Sequence, residues 1–503
     1  MKHRRKRLAG ISVISVMFSS LAGAAEQAQP GSQKFDFHHA DVLGTALDLS
    51  VIATSSADAA TAEKNVLAEV ERLRKILSSY DPDAELARVN ASPVGGPGIA
   101  VSKELIEVLK QYDTWSKRSR GAYSGHMGEL IAIWQEAEKN KQLPTDAVLL
   151  PAAKRAGEPA WAIDEKTQTV RRIADQQINV DSLGKGFIVG KAVEAATRNA
   201  GGVKGVLLNI GGDLRVWGTP LIKGSEWAVG VQDPTKPELN ATPLTTVYVP
   251  GDRAVASSGG YQRFYTIGNT HYSHIIDART GKSARNSAAT VVAPDSATAN
   301  ALATICCLLR PAEAMELVRS VPDAECLIIT AAGDQMRTDG FRELEQSRDA
   351  ASAPKLPSQF PAGFKMAIDL TTTPTQRKPY VFAWITDAGG KHVKTIGAWG
   401  NEQRWMRELR EWWKIAGSDR ALQTISHATQ RAGSYPLSWD GTDQKGNGVP
   451  LGKYTIWIEV AAEHGPHSVK SGSITLDRQP ASITIAATDA FNEVKVQYGP
   501  AGK

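Results

Sequence analysis

A segment rich in proline, serine and alanine, residues 347–361, divides the chain into two parts of different character. It shows no hydrophobic period, which is typical of a linker. Before it, stretches with helical spacing alternate with short apolar runs. After it, β-branched and aromatic runs follow one another between turn residues. At 503 residues, two or more domains are expected. We therefore predict a domain of helices and strands over 36–346 and a β-sandwich over 362–503.

The first 24 residues have the three parts of a secretory signal peptide: a charged start, a short apolar middle and an A-x-A end. Cleavage after Ala24 would deliver a protein without a membrane span to the periplasm. The leader holds five of the 58 lysines and arginines and no acid, so 53 basic and 53 acidic residues remain. This balance argues against a general affinity for nucleic acid.

Periodicity predicts several elements of the first part. One helical stripe spans 66–77, and a second helix begins behind a cap at Ser102. Residues 206–210 form a short apolar run bounded by glycines, which favours a buried strand. Residues 261–267 and 272–276 predict a hairpin, with His274 inside its second strand.

The helix predicted over 297–309, "ATANALATICCLL", carries two polar side chains one turn apart. Asn300 and Thr304 leave the same face of an otherwise apolar helix. They are either a satisfied hydrogen-bond pair or a pair of oxygen ligands. The cysteines, three in the whole chain, do not suggest a disulfide scaffold, and we expect them to be buried as small apolar residues.

Three further stretches carry modest signals. "NVDSLGKGF" (179–187) places Lys185 near a predicted helix start, where an anion is favoured. "NIGGDL" (209–214), taken alone, favours a hairpin turn with an Asp on the surface. "SHIIDARTG" (273–281) contains His274, and its Asp277 and Arg279 are more typical of a turn-stabilising pair than of a site.

Six ordered motifs together resemble the ApbE-type FAD:protein FMN transferases. "SSYDPDAELARVN" (78–90) resembles that family's S-x-Y-x-x-x-S-E segment, and "GAYSGHMGELIAIW" (121–134) its G-[AG]-F-D segment. "NVDSLGKGF" is similar to D-L-G-[GS]-I-A-K-G-[YF], and "NIGGDL" to N-x-G-G-[DN]-[IL]. "SHIIDARTGKSA" (273–284) is similar to S-H-I-[IL]-D-P-R-T-G-x-P. "TVVAPDSATANALATICCLL" (290–309) is similar to T-V-x-A followed by A-D-A-L-A-T.

The resemblance implies an α+β fold of the T-fold type that binds FAD and Mg²⁺. Such enzymes move FMN onto a Thr or Ser of a partner protein and release AMP, so an FMN-acceptor protein is the implied partner. His274 corresponds to the candidate proton acceptor, and Ser182, Asn300 and Thr304 to the metal ligands. The positions that correspond to flavin- and phosphate-binding residues are Leu43, Tyr80, Ala122, Tyr123, Ser124, Asn179, Lys185, Gly211, Gly212, Asp213 and Ile276.

The chain departs from the family pattern at four of these positions. Asn300, Asn179 and Ser124 stand where the family has Asp, and Leu43 stands where it has Met. An amide oxygen carries no charge, so a lower affinity for Mg²⁺ is expected. Two alternatives to the transferase therefore stay open. One is hydrolysis of FAD to FMN and AMP, and the other is a periplasmic FAD-binding or scaffold protein without transfer activity.

The second part has a resemblance of its own. The pattern of Trp439, Asp440, Gly441 and Tyr454 resembles the immunoglobulin-like module of FlgD-type hook-capping proteins. The region also resembles an uncharacterised periplasmic domain that is sometimes joined to such transferases. The resemblance implies an all-β immunoglobulin-like sandwich and leaves its role open.

Overall fold

A computed structural model describes residues 31–221, 226–236, 243–345, 357–373, 379–399, 411, 425–426, 434–443, 447–462 and 467–500. The predicted signal peptide lies outside this part of the chain, as does most of the predicted linker. None of the helices in the described ranges combines the length and the apolar character that a membrane crossing needs.

The first part of the chain mixes helices and strands, which confirms the α+β prediction. Its strands are β1 (Gln33–Val42), β2 (Thr45–Ala53), β3 (Ile99–Ala100), β4 (Trp161–Asp164), β5 (Thr169–Arg172), β6 (Val203–Ile210), β7 (Asp213–Gly218), β8 (Trp227–Val231), β9 (Thr245–Val249), β10 (Ala254–Gly259), β11 (Phe264–Ile267), β12 (Thr270–Ser273), β13 (Asn286–Ala293), β14 (Glu325–Thr330) and β15 (Gln335–Arg337). Its helices are α1 (Ser56–Leu77), α2 (Glu85–Ala91), α3 (Lys103–Arg118), α4 (Gly128–Asn140), α5 (Asp146–Ala156), α6 (Asp181–Ala196), α7 (Ser296–Leu308), α8 (Pro311–Arg319) and α9 (Asp339–Leu344).

An eight-stranded sheet in the order β1-β2-β6-β7-β10-β13-β14-β15 forms the centre of this part. Its neighbouring strands pair antiparallel. Helices α1, α6 and α7 pack together on one face, and α7 lies directly against β10 and β13. Side chains alternate between the two faces, so Val206 and Leu208 join the core under the helices while Leu207 joins a core on the opposite face. The site described below lies beside α6 and α7.

The periodic patterns located their elements well. Helix α1 buries Val66, Val70, Leu73 and Leu77 in one stripe. Helix α3 begins after Ser102, whose hydroxyl accepts a hydrogen bond from the backbone N–H of Leu105. The run at 206–210 lies in β6, and all three cysteines are buried. These predictions are confirmed.

The hairpin prediction was right in kind and wrong in its second strand. Ile267 pairs with Thr270, so the turn contains just Gly268 and Asn269, and pairing begins two residues earlier than expected. Strand β12 therefore ends at Ser273. His274 follows the strand rather than lying inside it.

The second part is a sandwich of two four-stranded sheets, in the orders β20-β16-β24-β23 and β18-β17-β21-β22. Its strands are β16 (Phe364–Thr371), β17 (Pro379–Asp387), β18 (His392–Trp399), β20 (Ser434–Trp439), β21 (Gly452–Ala462), β22 (His467–Leu476), β23 (Ala481–Ile485) and β24 (Val494–Pro500). Strand β19 (Ile425–Ser426) belongs to neither sheet and pairs parallel with β8. Alternate residues of β16 and β21, such as Ile368 and Ile458, form one buried core. The predicted all-β domain is confirmed.

Candidate functional site

A cavity of about 590 Å³ opens beside helices α6 and α7. It collects side chains from loops, strands and helices that are far apart in the sequence. The predicted site residues that line it are Leu43, Tyr80, Ala122, Tyr123, Ser124, Asn179, Ser182, Lys185, Asp213, His274, Ile276, Asn300 and Thr304. The structure therefore brings together almost the whole predicted set.

Gly211 and Gly212 are the exceptions, because they form the turn between β6 and β7 and are not part of the cavity wall. Gly211 has φ +59°, and a Cβ there would lie 2.6 Å from the Thr45 side chain. Contact of these two glycines with a cofactor stays a prediction, and in the structure their turn leads directly into Asp213. The hairpin turn is confirmed, but Asp213 is not on the surface, since it is 2% exposed.

The crossing of α6 and α7 brings the polar residues of the two helices together. It depends on Gly186: a Cβ there would collide with the carbonyl of Ser296 and lie 2.7 Å from the Cβ of Asn300. Because glycine lacks that atom, the first turns of α6 approach α7 closely. Lys185 and Ser182 of α6 consequently line the same cavity as Asn300 and Thr304 of α7.

A buried ionic group lies at this crossing. The Lys185 Nζ is 2.7 Å from Asp213 Oδ2, and the Asn300 amide Nδ2 donates to Asp213 Oδ1 at 3.0 Å. The Asn300 Oδ1 is buried and has no hydrogen-bond partner among the described residues. A buried acceptor without a partner is costly. Its place in the cavity wall indicates that a bound group completes it.

Thr304 bonds to a different neighbour. Its Oγ1 is 3.2 Å from the Oγ of Ser258, which also lines the cavity. Asn300 and Thr304 therefore face the cavity from one side of α7, and each contacts a separate polar group on the sheet. The first interpretation, a hydrogen bond within the pair, does not describe these contacts, and the pair of oxygen ligands stays a prediction.

Ser182 lies at the start of α6 between two phenols. The Tyr112 and Ser182 hydroxyls are 2.8 Å apart, and Ser182 Oγ donates to Tyr123 Oη at 2.9 Å. The two rings stack with centroids 5.1 Å apart. Burial raises the pKa of both Tyr112 and Tyr123 above the ordinary tyrosine value, so both phenols stay protonated. The network holds the first turn of α6 in place.

The mouth of the cavity carries an exposed aromatic side chain, Tyr80, with 78% of its surface accessible. Its hydroxyl donates to Asp181 Oδ2 at 3.1 Å, and the Asn179 amide donates to the same oxygen at 3.0 Å. The nearby Asp181 charge, followed by burial, raises the pKa of Tyr80. The ring is thus held by its hydroxyl while its surface remains open to a planar ligand.

Leu43 forms the tip of the β1–β2 hairpin on the cavity wall. Leu43 and Gly44 have φ +54° and +74°, and Val42 pairs with Thr45 across them. A two-residue hairpin turn with both φ values positive matches the twist of the strands, but it is unfavourable for a leucine. The hairpin holds this leucine side chain against the cavity.

His274 enters the cavity wall directly after β12. Its Nδ1 lies 2.9 Å from the carbonyl oxygen of Arg263, so this nitrogen carries the proton and donates. Burial, assisted by the positive charges of Arg263 and Lys185, lowers the pKa of His274 to about 4. At neutral pH the imidazole is uncharged, and its Nε2 has an acceptor lone pair.

Ser124, by contrast, is occupied by a structural network. Its hydroxyl donates to the Ala156 carbonyl at 2.9 Å and lies 3.0 Å from Nδ1 of His126. Burial lowers the pKa of His126 to about 4. The backbone N–H of Ala278 donates to the Ala122 carbonyl at 3.1 Å, which joins this loop to the segment that carries Ile276. These contacts shape the wall rather than present a charged group.

The donor chemistry fits a hard divalent cation such as Mg²⁺. Among the described residues no group of three or more His, Cys, Asp or Glu side chains is placed to hold a metal. Mg²⁺ needs only a few protein oxygens, since it keeps waters and binds substrate phosphates. Asn300 Oδ1 and the Thr304 hydroxyl are such oxygens, and Ser182 lies on the facing helix. The partnerless Asn300 Oδ1 is the observation that supports this fit.

Several residues of the cavity wall were not predicted from the sequence. Arg74, Ser257, Ser258 and Arg263 all line the wall. The small polar run "SSGG" (257–260) before the predicted hairpin was the available signal for the serines. Arg74 and Arg263 gave no local signal, because the fold alone brings them to the cavity.

This α+β fold with a polar cavity at the helix crossing is that of the flavin transferases. It is similar to the apbe protein from Thermotoga maritima, with a TM-score of 0.55 and 23% identity over 62% of this chain and 100% of that one. It is also similar to the Pseudomonas stutzeri flavinyl transferase ApbE in its apo form, with a TM-score of 0.52 and 21% identity over 64% and 100% of the two chains.

Residues 43–328 match the ApbE family, and the chain belongs to that family. An FAD:protein FMN transferase of Vibrio cholerae is 26% identical over 310 residues, covering 61% of this chain and 89% of the relative. One from Haemophilus influenzae is 26% identical over 360 residues, covering 69% and 100%. Residues 363–493 match a family described as "Predicted periplasmic protein (DUF2271)".

Proposed function

We propose that the protein is an FAD:protein FMN transferase of the periplasm. It transfers FMN from FAD through a phosphoester bond to a Thr or Ser hydroxyl of a partner protein and releases AMP. The observation that carries the proposal is a single cavity with a neutral His274 in its wall and the Lys185–Asp213–Asn300 group at its helix crossing. Relatives that are FAD:protein FMN transferases support it.

The chain supplies binding groups for each part of the substrate. The exposed ring of Tyr80 offers a stacking surface at the mouth. Lys185 and Arg263 bring positive charge to the cavity wall, and the positive end of the α6 dipole, at Asp181, lies beside it. A dinucleotide with a pyrophosphate bridge matches this combination of aromatic and cationic groups.

His274 is proposed as the proton acceptor. The acceptor hydroxyl forms a new O–P bond to the FMN-side phosphorus, and its proton passes to Nε2 of His274. The P–O bond to AMP breaks, and its electron pair leaves on the AMP phosphate. The Arg263 carbonyl keeps Nδ1 protonated, so Nε2 is the nitrogen that accepts. Bound Mg²⁺, held by Asn300, Thr304 and the carbonyl of Ser182, would neutralise charge on the pyrophosphate.

The proposed function also includes a cellular location, the periplasm, and an acceptor protein. The signal-like first 24 residues and the match of residues 363–493 to a predicted periplasmic family support export. The acceptor is a protein that carries a Thr or Ser flavinylation motif.

One experiment separates the proposal from its two alternatives. The purified full-length protein is incubated with FAD, Mg²⁺ or Mn²⁺ and an FMN-acceptor domain, and the products are analysed by mass spectrometry. FMN bound covalently to the acceptor is expected. Free FMN with AMP would indicate hydrolysis, and intact bound FAD would indicate a binding protein.

The His274→Ala variant tests the catalytic assignment. We expect transfer to fall by about 100-fold or more, because removal of a general base typically costs 10²–10⁴ in rate. His271→Ala is the matched control, since His271 lies on the same hairpin, stacks on Phe264 and does not line the cavity. Full transfer by His274→Ala would remove this residue from its proposed role.

A further inference from the structure

The side-chain amide of Asn300 has a defined orientation, and Asp213 defines it. A carboxylate can only accept hydrogen bonds, so the amide group that faces Asp213 Oδ1 at 3.0 Å must be the NH₂. The oxygen of the same amide then points away from Asp213. This oxygen is the buried atom without a partner among the described residues, in a side chain that lines the cavity.

Asp213 is itself held from two sides. It is the first residue of β7, directly after the Gly211–Gly212 turn, and is 2% exposed. Its second oxygen contacts Lys185 Nζ at 2.7 Å. A carboxylate anchored at both oxygens on a central strand cannot rotate freely, so it imposes one orientation on its partner.

We infer that Asp213 is a positioning residue that holds the Asn300 oxygen toward the cavity and thereby makes a neutral amide a cation ligand. The inference rests on the divalent cation of the proposed function. The Asp213 charge lies directly behind the amide NH₂ and polarises the amide, which makes its oxygen a better donor to a cation. The family has an Asp where this chain has Asn300. In this chain the carboxylate next to that position is the one of Asp213, on β7.

The inference can be tested by exchanging the side chains at positions 213 and 300. In Asp213→Asn the negative charge is lost, and the new amide can present either its oxygen or its NH₂ to Asn300, so the orientation is no longer imposed. In the double variant Asp213→Asn/Asn300→Asp the pair again contains one amide and one carboxylate, with the charge on α7. Asp233→Asn is the matched control, because Asp233 is also buried beside a lysine, at 3.5 Å from Lys236, and does not line the cavity.

The measurement is the Kd for Mn²⁺ of the metal-free full-length protein, from calorimetry and electron paramagnetic resonance. We expect Asp213→Asn to bind Mn²⁺ at least about tenfold more weakly, and the double variant to return to within about threefold of the natural protein, as for other residues that orient metal ligands. Asp233→Asn is expected to bind unchanged. Unchanged binding by Asp213→Asn, or a folded double variant that fails to recover, would overturn the inference.

A second measurement does not depend on any variant folding. A crystal structure of the natural protein soaked in Mn²⁺ is expected to show the manganese anomalous peak beside Asn300 Oδ1, with Nδ2 still facing Asp213. A peak away from Asn300, or none in the cavity, contradicts the inference. Because both measurements report metal binding, a protein that binds Mn²⁺ in this way but fails to transfer FMN would refute the proposed function alone.

Discussion

The two parts of the chain differ in where their buried polar side chains find hydrogen-bond partners. Between the two sheets of the sandwich, the Trp439 indole donates to the Thr442 carbonyl at 2.8 Å, and the Tyr454 and Tyr498 hydroxyls donate to backbone carbonyls at 2.6 and 2.7 Å. At the crossing of α6 and α7, a buried amide oxygen has no described partner. The sandwich also holds a buried donor without a described partner, the Trp384 Nε1, but Trp384 does not line the cavity and Asn300 does. A missing partner therefore points to a ligand where the side chain also lines a cavity.

The largest expected effect is the loss of ligand binding, and it comes from a side chain that forces the helix crossing apart. In Gly186→Val the new side chain would collide with the Ser296 backbone, so α6 and α7 must separate. We expect a loss of about 1–3 kcal/mol in the free energy of unfolding and loss of FAD and Mn²⁺ binding. Thermal melts and FAD titration by fluorescence would measure both.

Gly190→Ala provides the matched control on the same helix. The nearest atom to its added Cβ is the Ser296 Oγ at 3.8 Å, an ordinary contact. Alanine is the better helix former by about 0.5–1 kcal/mol, so this variant is expected to be slightly more stable and to bind FAD normally. Normal binding by Gly186→Val would show that the site does not need the close crossing.

An intermediate effect on the free energy of unfolding is expected when the pH is lowered. The pKa of buried His126 is about 4 in the folded protein, below the ordinary histidine value of about 6.5. Between these values the unfolded chain binds the extra proton, so stability is full above pH 6.5 and declines as the pH falls toward 4. The loss approaches roughly 2–3 kcal/mol at ~1.4 kcal/mol per pH unit.

Urea unfolding of the natural protein and of His126→Gln between pH 7 and 4.5 would measure this effect. The glutamine variant is expected to lose less stability on acidification, because the titrating group is gone. His274 also has a lowered pKa, but it is present in both proteins. It therefore contributes the same pH dependence of the free energy of unfolding to each. Parallel stability curves for the two proteins would contradict the assignment to His126.

The smallest effect is expected in the sandwich. Tyr498→Phe removes the hydrogen bond to the Asp477 carbonyl and keeps the ring packed against Phe360 and Phe364. A loss of about 0.5–1.5 kcal/mol in stability is expected, with FAD binding and transfer unchanged. Denaturant unfolding and the transfer assay would check this, and a change in FAD affinity would mean that the sandwich contributes to the site.

Sequence patterns predicted the fold to the extent that it depends on local periodicity. The stripe of α1, the Ser102 cap and the buried β6 were all located correctly. The start of β12 was missed, because a two-residue turn and a three-residue turn differ in little more than which residues pair. Local patterns do not encode that choice.

The sequence predicted which residues belong to the site better than it predicted how they are arranged. Motif resemblance found residues as distant as Tyr80 and Asn300, which share one cavity. It did not show that Asp213 is buried and paired with both Lys185 and Asn300, since this depends on packing between a strand and two helices. The same holds for Arg263, whose carbonyl contact to His274 follows from the geometry of a hairpin.

The hydroxyl of Ser182 has a consequence for self-modification. This serine lies in the wall of the cavity where the enzyme is proposed to hold an activated phosphorus, so it is a competing nucleophile at high local concentration. Its oxygen is engaged by Tyr112 and its proton by Tyr123. An attack by Ser182 would have to give up both contacts at once, and the pair of phenols thereby protects the enzyme from its own reaction.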